Sequence, residues 1–141
     1  MTLFLTGLLA GLLDITAAML LFLSRGNKDP RILLRYIASA VYGKDAFVRG
    51  NSMVLMGLLF HFAIAMIWVA IYFILHAYIP WLDSHRLLAA IGYGLVVWII
   101  MNLVILPNSK ATPRPFSWPF ALINMAILIG AIGLPVAYFS S

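Results

Sequence analysis

Four runs of apolar residues, 3–23, 52–79, 87–106 and 116–139, alternate along the chain with short polar segments that hold nearly all of its charge. Each run reaches the ~20 helical residues needed to cross a hydrocarbon core of roughly 30 Å. Inside a bilayer the backbone N–H and C=O groups find no water, so each run is predicted to be a helix. The pattern predicts an all-α, polytopic membrane protein, folded as one domain over residues 1–141. Short connections between successive runs predict an antiparallel bundle of four transmembrane helices.

The polar segments are patterned too. Asp29-Pro30 is a helix-start signal, an acid at the N-cap followed by proline at the first helical position. From there Arg31, Arg35 and Ser39 recur on one stripe, and Gly43 can close the helix. Residues 30–42 are too few to span, so they are predicted as an amphipathic helix lying in the interface. The alternative is a connector packed beneath the bundle. Segment 107–115 holds three prolines and is predicted to be extended or turned.

Charge sets the topology. Segments 24–51 and 107–115 carry eight of the nine basic residues, whereas 80–86 carries only Arg86, balanced by Asp83. The excess of basic residues places the first two segments in the cytoplasm and both termini on the periplasmic side. Tyr72, Tyr78 and Trp81 near the outer ends, and Tyr42 and Trp118 near the inner, suit interfacial belts. The N-terminal run lacks a basic leader and a small-residue cleavage site, so it is expected to be a retained span.

Composition narrows the partners. With 65% hydrophobic and 9% charged residues, the chain lies far from the ~25% charged residues of soluble domains. Its net charge of +5 therefore points to anionic lipid headgroups, met by Arg31, Arg35, Lys44 and Arg49, and not to nucleic acid. The absence of cysteine removes disulfides and thiolate chemistry.

The candidate chemistry is the polar residue within each span. Counted from the cytoplasmic ends at 1.5 Å per residue, Asp14 and His61 both lie about 15 Å deep. Asn102 and Asn124 lie about 8–10 Å deep, with Thr16 between the two levels. Gly7, Gly11, Asp14 and Ala18 share a face of the first span, and Gly57, His61 and Ala65 share one of the second. These small-residue faces are expected to meet and bring Asp14 within reach of His61. A lone acid at mid-bilayer costs about 2.5–3.5 kcal/mol, so Asp14 must be neutral, paired or facing water. Asp14, Thr16, His61, Asn102 and Asn124 form the expected buried polar network, and Gly7, Gly11 and Gly57 the packing positions. The network is either a clasp between helices or a site for a proton or small solute.

No cofactor is expected. His76 lies about 22 Å beyond His61 along one helix, which excludes an intrachain bis-histidine haem site. Asp14 with His61 is half of a zinc ligand set. No lysine lies inside a span, and no serine lies at the depth of Asp14 and His61. An enzyme is not expected.

The segments GLLDITAA at 11–18, RILLRYIASAVYGKDAF at 31–47, GLLFHFAIA at 57–65, YGLVVWIIMNLVILPNS at 93–109 and IGLPVA at 132–137 resemble small four-helix bacterial membrane proteins without an assigned activity. A more distant likeness joins the third run and its proline-rich exit to the YagU-like inner-membrane proteins. The resemblance implies fold and a bacterial inner-membrane location. The leading expectation is a non-enzymatic membrane protein, a homo-oligomer or an accessory subunit of a larger complex. The alternatives are a proton-linked conduit or small-solute carrier using Asp14 and His61, and a binder of lipid or an apolar ligand between helices.

Overall fold

The computed structural model describes residues 2–26, 28–111 and 117–140. Arg114 and two prolines of the 107–115 segment, and Phe116 at the start of the fourth predicted span, lie outside the described residues. Among the described residues every regular element is helical. Four helices are long and apolar enough to cross a membrane: Leu3–Ser24, Ser52–Tyr78, Arg86–Ile105 and Trp118–Phe139. Their bounds lie within one or two residues of the sequence prediction.

Helix α1 is Leu3–Ser24, begun by Thr2, whose hydroxyl accepts from the Leu5 N–H at 3.2 Å. Helix α2 is Arg31–Tyr42, one residue shorter than expected. Its N-cap is Pro30, one residue later than expected, and the Asp29 carboxylate before it accepts from the Arg31 N–H at 3.0 Å. Gly43 ends it at a φ of 63°, a conformation that costs a side-chain-bearing residue strain. A short α3 (Asp45–Val48) leads to α4 (Ser52–Tyr78), and a short α5 (Trp81–Ser84) leads to α6 (Arg86–Ile99).

The third and fourth spans each contain a π-helical stretch, Ile100–Ile105 after α6 and Ile129–Gly133 between α7 (Trp118–Leu128) and α8 (Leu134–Phe139). Each stretch ends two residues before a proline, Pro107 or Pro135. Proline has no N–H to give its i−4 carbonyl, and its ring crowds that carbonyl. A wider turn re-registers the ladder, as where the Leu106 N–H reaches Met101 O at 2.9 Å.

Water cannot drive these helices together inside a bilayer, so close packing has to. Long aliphatic side chains such as Leu20, Leu59, Ile74 and Leu122 point outward, while the interior is built from small residues and aromatics. Gly7 lies against Met66, and Gly11 against Phe62 and Ala65, which brings α1 onto α4. Gly94 lies against the Ile129 backbone and Gly133 against the Ala90 carbonyl, which brings α6 onto the last span. Between α4 and α6 the filler is aromatic: the Tyr72 and Tyr93 rings meet edge to face at 4.9 Å, and the Tyr93 hydroxyl donates to Trp68 O.

Three expectations are corrected. Tyr72 is not part of an interfacial belt; it is buried to 1% exposure among these aromatics. Gly57 does not pack on α1. It lies under the Leu34 carbonyl of α2, because α2 lies across the first turns of α4, where Gly57 is found. Leu34, Ala38 and Ser39 are the buried residues of α2, so Ser39 belongs to its inner side and not to an exposed arginine stripe.

Candidate functional site

The α1–α4 contact brings one acid and one imidazole together. Gly11 has no side chain, so Phe62 and Ala65 of α4 approach its backbone closely. His61, the residue before Phe62, then reaches that backbone itself: Nε2 lies 2.9 Å from Gly11 O. A carbonyl can only accept, so Nε2 carries the hydrogen and donates it to Gly11 O. Asp14, one turn along α1, places Oδ2 3.7 Å from the same nitrogen. The imidazole and carboxylate side chains are only 12% and 17% exposed. The Phe62 ring stands edge-on to the imidazole at 5.6 Å and helps to cover it.

The remaining polar residues do not join this pair. Thr16 is exposed. It follows Asp14 by two residues, about 200° around a helix, and so faces away from α4. Asn102 is half-buried in the first π-helical stretch and donates to Trp98 O of its own span at 3.0 Å. Asn124 is half-buried on α7. No hydrogen bond among the described residues carries either amide to Asp14 or His61. The expected network of five is a pair with separate outliers, because depth along a helix does not set the direction in which a side chain points.

The cations expected at lipid headgroups divide likewise. Arg31 forms a two-pronged bridge to Asp29, with both N–O distances 3.1 Å, and holds that exposed carboxyl below its ordinary range. Arg35 donates to the carbonyls of Phe47 at 3.3 Å and Arg49 at 2.8 Å, tying α2 to the turn after α3. The Arg49 guanidinium lies over the Tyr42 ring at 5.6 Å, and Lys44 is exposed. Arg31 and Arg35 are thus engaged by the fold, while Lys44 and Arg49 sit at its edge.

A second cluster was not singled out from sequence. At the other end of the spans, Asp83 of α5 accepts from Arg86 at 3.1 Å and lies 3.4 Å from His76 Nε2 of α4. Arg86 also lies 6.0 Å from the centre of the Tyr138 ring at the end of α8. The i, i+3 spacing of Asp83 and Arg86 is visible in sequence, but the approach of His76 and Tyr138 is not. Hydrogen bonding from Arg86, and then from His76, holds the Asp83 carboxyl below its ordinary value of 3.8. A carboxyl with a lowered native pKa adds stability that is complete above its unfolded value and lost as pH falls through the native one. The connection between α4 and α6 should therefore loosen below about pH 4, and Asp83→Asn should remove that part of the acid sensitivity. Thermal unfolding midpoints at about pH 5 and about pH 2.5 test this; equal acid shifts in the two proteins refute it.

Among the described residues no three His, Cys, Asp or Glu side chains gather where they could hold a metal ion. Two apolar grooves lie elsewhere, one at α1 with the last span and one at α4 with the third span. What the pair can do chemically is hold two helices, the imidazole bonded to the α1 backbone with the Asp14 carboxyl beside it. Comparison of the chain with family models, with curated proteins and with solved structures gives no match, so the likeness to small bacterial membrane proteins rests on the quoted segments alone.

Proposed function

We propose that this chain is a non-enzymatic, multi-pass protein of the bacterial inner membrane, an antiparallel four-helix bundle whose first two spans are clasped by Asp14 and His61. The observation that carries this reading is the position of His61 Nε2, 2.9 Å from Gly11 O and 3.7 Å from Asp14 Oδ2, with no hydrogen bond from another polar side chain among the described residues. A conduit needs a polar route to both surfaces; Thr16 and the two asparagines lie away from the pair. The pairing of Gly7 with Met66 and of Gly11 with Phe62 supports opposite directions for the first two spans. In this reading the bundle serves as an oligomer or as the accessory subunit of a larger membrane complex.

The basic asymmetry supports a cytoplasmic location for α2 and α3, and periplasmic termini. Helix α2 then lies at the inner interface with Lys44 and Arg49 toward anionic headgroups. Single cysteines at Ser109 and Ser84 should label from opposite sides of the membrane, position 84 from the periplasm. Labelling of both from one side overturns this topology.

The function itself is tested in liposomes. Wild-type protein and His61→Leu should show the same background proton flux, while only the variant loses folding yield. Native mass spectrometry of the wild type in mild detergent should report more than one chain, or a co-purifying subunit. Proton flux that requires His61 would replace the clasp by the conduit.

A further inference from the structure

Three cations carried by two separate connections meet at the end of α2. Gly43 closes that helix, and the place where its side chain would stand is 3.7 Å from Lys110 Cβ, so Lys110 is seated against the turn that leads into Lys44. The Lys110 N–H donates to Ala40 O at 3.1 Å and ties the segment after the third span to α2. Arg49 lies over the Tyr42 ring at 5.6 Å, and Arg35 holds its backbone by donating to Arg49 O at 2.8 Å. Beneath them Ala38 of α2, Ala46 of α3 and Met53 of α4 pack into one buried cluster, so the platform belongs to the fold. The carbonyls at a helix end draw cations by themselves. Here they are met by backbone N–H groups, from Gly43 to Ser39 O and from Lys110 to Ala40 O, and the charged ends of the side chains are left over. Among the described residues neither the two ammonium groups nor the Arg49 guanidinium has a carboxylate partner, and all three residues are exposed. Asp45 is the only acid in residues 43–51, and it pairs with none of them.

We propose that the end of α2 is a seat for one anionic phospholipid, its phosphate held by Lys44, Arg49 and Lys110 and its chains laid against Val41, Phe47 and Val48. The proposal rests on the reading that these connections lie at a membrane surface, and it replaces Arg31 and Arg35 by Lys110 in the headgroup set. Unpaired charges of one sign select an anion. The apolar neighbours select a lipid over a soluble phosphate: Val41 is 51%, Phe47 40% and Val48 82% exposed, and a soluble anion would leave them in water. The level is also that of headgroups, since Arg49 stands three residues before α4 and Lys110 five after the π-helical end of the third span. Basic pockets at the cytoplasmic ends of spans recognise lipid phosphates in this way.

The test is lipid retention by the full chain in mild detergent, read by native mass spectrometry after addition of phosphatidylglycerol or phosphatidylcholine. A cation beside an anionic headgroup contributes a factor of about five, so three cations less one acid should favour phosphatidylglycerol about 25-fold. Lys44→Gln, Arg49→Gln and Lys110→Gln should each lower its retention about fivefold and leave phosphatidylcholine unchanged. Asp45→Asn should raise it by the same factor, a gain that a misfolded chain cannot give. Lys28→Gln, at an exposed cation before α2, should change nothing. Excess glycerol phosphate should not displace the lipid. Equal retention of the two lipids, no loss in Lys110→Gln, an equal loss in Lys28→Gln, no gain in Asp45→Asn or displacement by glycerol phosphate overturns the proposal. Failure of the clasp would appear in stability and flux, and failure of the topology in the cysteine labels; neither moves this lipid count.

Discussion

Replacing His61 by leucine is expected to destabilise the protein more than replacing Asp14 by leucine. The imidazole gives its Nε2–H to Gly11 O at 2.9 Å, while Asp14 Oδ2 lies beyond hydrogen-bond reach at 3.7 Å, so the imidazole keeps its partner when Asp14 is removed. Among the described residues the carboxylate has only the imidazole. His61→Leu thus strands a largely buried acid, at a cost of about 1–3 kcal/mol for an unsatisfied polar group. Asp14→Leu gives up an interhelical contact worth about 0.6–2 kcal/mol, but it also removes a carboxyl whose insertion costs about 2.5–3.5 kcal/mol. By these figures Asp14→Leu should be no less stable than wild type. The double variant should resemble Asp14→Leu, because no stranded partner remains. Reversible unfolding in mixed detergent micelles measures all three. A double variant as damaged as the two single losses summed would mean that the residues do not couple. An Asp14→Leu loss equal to or above that of His61→Leu would mean that the bond to Gly11 does not sustain the imidazole.

Adding one methyl group at Gly57 should displace α2. The Leu34 carbonyl occupies the space of a Gly57 side chain, with its carbon 2.7 Å from the ideal Cβ position. Backbone atoms of a helix cannot swing aside as the end of a flexible side chain can. Gly57→Ala must therefore shift α2 as a body or distort α4, at about 1–3 kcal/mol for overpacking. Spin labels at the exposed Val41 and Leu59 should report a longer or broader distance in this variant. Gly92→Ala, which meets open space, should leave both distance and stability unchanged. An unaltered distance together with unaltered stability in Gly57→Ala would refute the close approach.

The approach of Asp14 to His61 is legible in the sequence. Both residues lie at one depth, both on faces of small residues, and neither is tolerable alone in hydrocarbon. The link to Gly11 O was not, since a backbone carbonyl carries no mark in sequence of which side chain will reach it. Depth alone groups Thr16, Asn102 and Asn124 with the pair, and depth is one coordinate of three. Rotation of each helix about its axis is set by where the neighbouring backbones fit closest. In this protein that is decided at Gly7, Gly11, Gly94 and Gly133.

By itself the sequence determined the number, length and approximate ends of the four long apolar helices, the existence of helix α2, and the connecting segments in which the cations gather. Apolar length and backbone hydrogen bonding are local demands, satisfied within one run of residues. Only the tertiary structure decided that Gly57 serves α2 and not α1, that Tyr72 fills the interior, and that His76, Asp83, Arg86 and Tyr138 meet at one end. These contacts join residues distant in the chain, and lipid outside is as apolar as leucine inside. Hydrophobicity therefore cannot choose which faces turn inward; shape does, and shape exists only once the helices are together.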